Sequence, residues 1–148
     1  MIIHKKDVQD GVHDVHDWLM QVRMIDELIN AKQAERDQLM TLATNITPNM
    51  DGIPHATGVS DKIGNAAVKL ADMAREIDEL VDQYLDIKQE IIKELEKLPN
   101  VEYLILHKYC IQGMTLSEIA EDMNYHRVTI SNLKAQAIER LKDATRCC

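Results

Sequence analysis

The chain has 148 residues, of which 45% are hydrophobic, with no Phe, one Trp, four Tyr and a net charge of −8. Few aromatic residues, 5 Gly and 3 Pro favour a small number of long helices over strands, so we predict an all-α fold. No apolar run is long enough to span a membrane, and no signal peptide is recognisable. Three cysteines do not make a secreted disulfide framework, and we expect a reduced, cytoplasmic protein.

The first third of the chain contains one strong periodic pattern. Residues 1–12 show no period, and we expect a loose or partner-dependent arm there. From Val15 onwards, apolar residues recur at alternating steps of three and four, a heptad pattern that is interrupted by Lys32 and Arg36. This pattern predicts a helix over about residues 14–44.

A second, longer helix is predicted after a loop. Residues 45–60 are rich in Gly, Pro, Asn and Thr, which predicts a loop, and Ser60 or Asp61 can cap the helix that follows. Apolar residues then repeat every seven positions up to residue 98, as Ile63, Leu70, Ile77, Tyr84, Ile91 and Leu98. One antiparallel partner helix covers only part of such a stripe. We therefore expect a helical hairpin or coiled coil that forms homo-oligomers, with a dimer favoured.

The sequence changes character after Leu98. Pro99 breaks the heptad pattern, so we predict one domain over 1–98 and another over 99–148. The second domain has six basic and six acidic residues, which leaves the whole charge of −8 on the first. A short helix should end at Gly113, in a left-handed conformation.

The residues after Gly113 have the spacing of a helix-turn-helix. Thr115 and Glu118 have the spacing of a helix-capping box, Ala120 is small enough for two helices to touch, and Asn124 occupies the turn, where a left-handed conformation is needed. Five further positions must be apolar for the two helices to pack, and they are Ile119, Met123, Tyr125, Ile130 and Leu133. An ordinary helical hairpin is the alternative. The agreement at seven positions, which are these five together with Ala120 and Asn124, favours DNA binding.

The second helix of this motif, residues 126–142, is the predicted recognition helix, with four basic residues and one acidic residue. Arg127 can reach guanine or a phosphate, Asn132 can pair with adenine, and Val128 can touch a thymine methyl group. Backbone N–H groups at Thr115 can hold a phosphate. The complete set of predicted DNA-contacting residues is Thr115, His126, Arg127, Val128, Thr129, Ser131, Asn132 and Gln136.

The segment LPNVEYLILHKYCIQGMTLSEIAEDMNYHRVTISNLKAQAIERLK resembles region 4 of bacterial sigma factors, which reads the −35 promoter element. The likeness includes the opening LP, the EIAE helix and the ending A-x-A-I-x-x-L. The chain departs from that family at His126, where a Ser or Thr usually caps the recognition helix. It also has Thr129 and Ser131 where Arg is frequent, which implies weaker attraction to phosphate.

Over about residues 40–142, the chain is similar to small phage and prophage proteins of Gram-positive bacteria that are related to ArpU/RinA-type transcriptional regulators. The segments that carry this similarity are MDGIPHATGVSDKIGNAAVKLADM and EIIKELEKLPNVEYLILHKYCIQGMTLSEIAEDMNYHR. The resemblance implies control of phage gene transcription in a bacterial host.

Other functional classes have weaker support in the sequence. His13 and His16 have metal-ligand spacing but lack a third ligand, and no nucleophile motif or Gly-rich phosphate loop is present, so we expect no metal, no cofactor and no enzyme activity. The prediction is a DNA-binding transcriptional regulator whose partners are double-stranded DNA and further copies of itself. RNA polymerase is an additional candidate partner. The alternatives are a small terminase subunit for phage DNA packaging and a protein that binds RNA polymerase without touching DNA.

Overall fold

The computed structural model describes residues 2–45 and 58–146, and every regular element in these ranges is helical. The predicted all-α class is therefore confirmed. The elements in chain order are α1 (Lys5–Gln9), α2 (Val15–Asn45), α3 (Gly58–Leu95), α4 (Asn100–Leu106), a π-helical turn (His107–Ile111), α5 (Leu116–Met123) and α6 (Arg127–Arg146).

The two long helices lie close to their predicted bounds. Helix α2 has 31 residues and helix α3 has 38. Helix α3 begins at Gly58, so Ser60 and Asp61 lie inside it, and the prediction that one of them caps the helix was wrong. The predicted loop over 45–60 falls largely on residues 46–57, which lie outside the described residues.

The chain divides into two compact units, one made of Met1–Ile25 with Tyr84–Cys148 and the other of Asp26–Gln83. These units differ from the predicted domains because the N-terminal part of α2 and the C-terminal part of α3 pack with the C-terminal helices. In the first unit, Trp18 of α2, Ile91 of α3 and Leu141 of α6 are almost completely buried in one core. The functional boundary at residues 98 and 99 stays a prediction.

The N-terminal residues are packed against this core, so the expectation of a loose arm was wrong, while dependence on a partner stays a prediction. Val8 of α1 is buried, and the backbone N–H of Ile3 donates to Oε1 of Gln21 at 2.9 Å. The backbone N–H of Lys5 donates to Oε1 of Glu90, 85 positions away in the sequence, at 2.9 Å. These partners are distant in the sequence, and no local periodicity reveals them.

The second unit consists of parts of α2 and α3 and has a small core. Ile29 and Ile77 are its buried apolar residues among those whose side chains are described. Lys32 donates to Glu76 across the two helices, with Nζ and Oε2 2.9 Å apart, and this hydrogen bond raises the pKa of Lys32. Several other apolar positions are only half-buried, namely Leu39, Leu70, Met73, Leu80 and Val81. Two helices alone therefore leave much of the heptad stripe in contact with solvent.

A π-helical turn connects α4 to the helix-turn-helix. The backbone N–H of Gln112, the residue that follows this turn, donates to the carbonyl of His107, five residues back, at 3.1 Å. Burial, with the nearby charges of Lys88 and Lys108, lowers the pKa of His107. The segment ends at Gly113, whose φ of 72° confirms the predicted left-handed conformation. Cys110 of this turn is buried, and this burial raises the pKa of its thiol to about 12.

Candidate nucleic-acid interface

Helix α5 begins at the predicted cap. The hydroxyl oxygen of Thr115 accepts a hydrogen bond from the backbone N–H of Glu118 at 3.2 Å. Glu118 also places a negative charge in the first turn, where it is favourable against the helix dipole. The start of α5 is thus fixed by its own sequence, and Thr115, Ser117 and Glu118 are exposed to solvent there.

The turn between α5 and α6 has the predicted left-handed residue. Asn124 has φ 59° and ψ 41°, and it is the one non-glycine residue with positive φ in the described ranges. The backbone N–H of Tyr125 donates to the carbonyl of Ala120 at 2.9 Å, which satisfies a carbonyl at the end of α5. This turn redirects the chain within three residues, Asn124 to His126, before α6 begins at Arg127.

A small apolar core holds the two helices together. Ile119, Ala120 and Ile130 are buried with Ile105 of α4, and the half-buried residues around them are Tyr109, Met114, Leu116, Met123 and Leu133. Tyr125 is the exception among the predicted packing positions, since 42% of its surface is exposed. The ring of Tyr125 therefore lies outside the core that the two helices form with Ile105 of α4.

Helix α6 presents one face to the core and the other to solvent. Ile130, Ala137 and Leu141 point inward and are buried. The predicted contact residues Arg127, Val128, Ser131, Asn132 and Gln136 are all exposed, together with His126 just before the helix, while Thr129 is half-buried. The structure therefore brings the predicted residues together at the N-terminal half of α6, next to Thr115. Their contact with DNA stays a prediction.

Most of the positive charge of α6 is engaged within the protein. Lys134 places its Nζ 3.9 Å from the centroid of the Tyr109 ring, and Arg140 places its Nε 3.1 Å from Oε1 of the buried Glu102. The Nζ of Lys142 lies 3.8 Å from Asp14 and 3.6 Å from Glu139.

The predicted locally basic helix is therefore much less basic toward solvent than its composition indicates. Among the described residues of α6, Arg127 is the cation that lies on the predicted contact face without a carboxylate or aromatic partner. This face, named the reading face here, consists of Thr115, Leu116, Arg127, Val128, Ser131, Asn132 and Gln136. It has neutral polar and apolar side chains around a single positive charge.

The reading face contains an open notch of about 270 Å³ between the starts of α5 and α6. Leu116, Val128, Arg127, Ser131 and Asn132 line it. Leu116 was not among the predicted contact residues. Its position beside the predicted phosphate contact at Thr115 was the available signal.

The fold and this geometry define a protein with a helix-turn-helix DNA-binding domain. Residues 94–143, which are 50 of the 148 residues, match the family model described as Sigma-70, region 4. This match confirms the predicted resemblance of the C-terminal part to sigma region 4. No curated protein and no solved structure matches the chain.

In the described residues, no helix is long and apolar enough to cross a membrane. Within residues 2–45 and 58–146, no three His, Cys, Asp or Glu residues are grouped so that they could hold a metal ion.

Proposed function

We propose that the protein is a sequence-specific transcriptional regulator that inserts the N-terminal half of α6 into the major groove of DNA. This proposal rests on one observation: the exposed residues of α6 lie within the region that matches the family model. Arg127, Ser131 and Asn132 lie together on the side of α6 opposite its buried face, within the region that matches Sigma-70, region 4. Thr115 caps the supporting helix beside them, where N–H groups can bind a phosphate.

The proposed targets are phage or prophage genes in the cytoplasm of a bacterial host. The similarity of the linker and junction segments to ArpU/RinA-type regulators supports this assignment. RNA polymerase is a proposed additional partner, since sigma region 4 acts beside that enzyme at promoters. An enzyme activity is not part of the proposal, because the matched region belongs to a family of DNA-binding domains.

Selection of bound duplexes from a random DNA pool tests DNA reading directly. We expect one enriched motif, with enrichment lost in Arg127→Ala and Asn132→Ala. Arg75→Ala and Asn65→Ala are matched controls, because both residues are exposed on α3, far along the sequence from the reading face. Failure of the wild-type chain to enrich any motif would overturn the proposal.

We also propose that the protein acts as a homo-oligomer, with a dimer favoured. The second unit supports this, because Leu70 and Met73 are only half-buried and Met40, Leu42 and Val68 are 53–61% exposed. A second copy can cover these apolar surfaces and supply a second helix-turn-helix domain with its reading face, which together we name a reading head. An inverted repeat in the selected DNA would agree with a symmetric dimer.

Analytical ultracentrifugation tests the oligomer. We expect Leu70→Glu to shift the protein toward monomer, whereas Lys69→Glu, at an exposed neighbouring position, should not. A wild-type monomer at tens of micromolar would contradict the proposal. A ring of eight or more chains would instead favour the small terminase alternative. Retention of regulatory activity by Arg127→Ala and Asn132→Ala would favour a protein that binds RNA polymerase without reading DNA.

A further inference from the structure

The notch on the reading face has apolar walls and polar edges. Leu116, the first residue of α5, and Val128, the second residue of α6, supply the apolar surface. Arg127, Ser131 and Asn132 supply the polar groups around it. Two separate helices thus form a single concave surface at the position where α6 would enter a groove.

The apolar surface of Val128 is not explained by the packing of the protein. Val128 is 70% exposed, whereas Ile130, two residues later, is completely buried and joins α6 to the core. Leu116 packs at the edge of the same core and remains only half-buried. The fold therefore holds an apolar pair at the surface with its side chains accessible from outside.

The charge of the reading face also favours contact with base edges. Of the four cations between positions 126 and 142, Arg127 lies on this face, while Lys134, Arg140 and Lys142 contact groups of the protein itself. A surface with one cation gains little from phosphate neutralisation, and specificity then depends on neutral groups. In the major groove, the apolar group that a base presents is the 5-methyl group of thymine.

We infer that the notch between Leu116 and Val128 receives the 5-methyl group of a thymine. The supporting helix α5 would thus take part in sequence reading through Leu116, and not only in holding a phosphate. Asn132, at the edge of the notch, is placed to pair with an adenine beside that thymine. This inference rests on the proposed DNA-reading function, and it adds Leu116 of α5 to the thymine contact that the sequence suggests for Val128 alone.

Replacement of thymine by deoxyuridine tests the inference, because it removes only the methyl group. Each thymine of the selected duplex is replaced in turn, and binding of the full-length chain is measured by fluorescence anisotropy. Burial of one methyl group corresponds to about a fourfold change in affinity, and we expect this loss at one position per reading head. Val128→Ala should bind the thymine and deoxyuridine duplexes at that position with equal affinity.

Two further variants separate the notch from general effects. Leu116→Ala should reduce the difference between thymine and deoxyuridine, and Leu116→Met, which conserves volume, should retain it. Asp143→Ala, an exposed substitution on the same helix but outside both the notch and the reading face, should leave the ratio unchanged. Thermal melting followed by circular dichroism confirms that each variant is folded at the assay temperature.

The outcomes distinguish this inference from the proposed function. If the chain selects a DNA motif but no deoxyuridine substitution weakens binding, or if Val128→Ala keeps the full sensitivity, the notch does not read a methyl group. A selected motif without thymine would have the same meaning. If no motif is selected at all, the proposed DNA-reading function fails, and this inference fails with it.

Discussion

The salt dependence of DNA binding should be much weaker than the composition of α6 indicates. Two substitutions test this, Arg127→Ala and Lys134→Ala, each of which removes one positive charge from the same helix. Arg127 is exposed on the reading face, whereas Lys134 lies against the ring of Tyr109, with 3.9 Å between its Nζ and the ring centroid. Only the first substitution should alter the number of ions released when DNA binds.

The expected magnitude follows from the number of cations that are available to DNA. Each phosphate that a protein neutralises contributes about −0.9 to the slope of log K against log salt concentration. One available cation on the reading face, Arg127, predicts a slope of about −0.9 for each reading head, or about −1.8 for a dimer. If all four basic residues between positions 126 and 142 contacted phosphates, the slope would be about −3.6 for each head.

Anisotropy titrations of the selected duplex between 50 and 200 mM KCl measure these slopes. Arg127→Ala should reduce the magnitude of the slope by about 0.9 for each head, and Lys134→Ala should leave it unchanged. Arg75→Ala, which removes an exposed arginine from α3, is the matched control. A wild-type slope of −3 or steeper for each head would refute the reasoning, as would an equal change in the Lys134→Ala variant.

Three further predictions concern stability. Asn124→Ala should lower the free energy of unfolding by about 1 kcal/mol, because its left-handed backbone is unfavourable for Ala, while Asn124→Gly should not lower it; urea denaturation distinguishes them. Burial of the Glu94 carboxyl tends to raise its pKa, but hydrogen bonds from Lys5 and Lys97 exceed that effect, so its pKa is lowered. The ionised form of Glu94 therefore stabilises the folded state above the ordinary carboxyl pKa of about 4.3, and this stabilisation is lost as the pH falls through the folded-state pKa. Glu94→Gln should flatten the dependence of the urea midpoint on pH in this acidic range. Arg140→Ala should destabilise the protein by about 1 kcal/mol in thermal melts, a modest cost because Arg140 is half-exposed, and an added Glu102→Gln should recover part of it.

Each of these stability predictions has an outcome that contradicts it. Equal stability of the Gly and Ala variants at position 124 would show that the left-handed backbone costs nothing there. An unchanged acid profile in Glu94→Gln would assign the acid sensitivity to other carboxyl groups. If the Arg140→Ala and Glu102→Gln effects simply add, the two side chains do not stabilise one another.

The features that were predictable from sequence depend on neighbours along the chain. Heptad spacing predicted α2 and α3 because burial of one helix face requires a regular interval between apolar residues. The left-handed residues at Gly113 and Asn124 were predictable because few residue types accept that backbone conformation. The same local reasoning identified Thr115 as a helix cap, and its hydroxyl accepts the expected hydrogen bond.

The features that were missed depend on partners that are remote in the sequence. The N-terminal segment is ordered by Gln21 and by Glu90, which lies on the second long helix. Similarly, Arg140 is engaged because Glu102 lies opposite it on α4, and nothing in the composition of α6 indicates this. A count of charges on a helix therefore predicts its electrostatic role only after the helices around it are known.

The charge contacts of α6 and the half-buried apolar stripe of the second unit both favour DNA binding by an assembly of two or more chains. A reading head with one available cation gains little non-specific affinity, so a single head must depend on base contacts for its binding energy. Two heads in one assembly would add their base contacts, and the half-buried Leu70 and Met73 provide apolar surface that such an assembly can bury. Oligomerisation would then determine the affinity, and the notch with its neighbouring polar groups would determine the sequence. Substitutions in the second unit, which contains none of the reading-face residues, would weaken DNA binding without a change in the preferred motif.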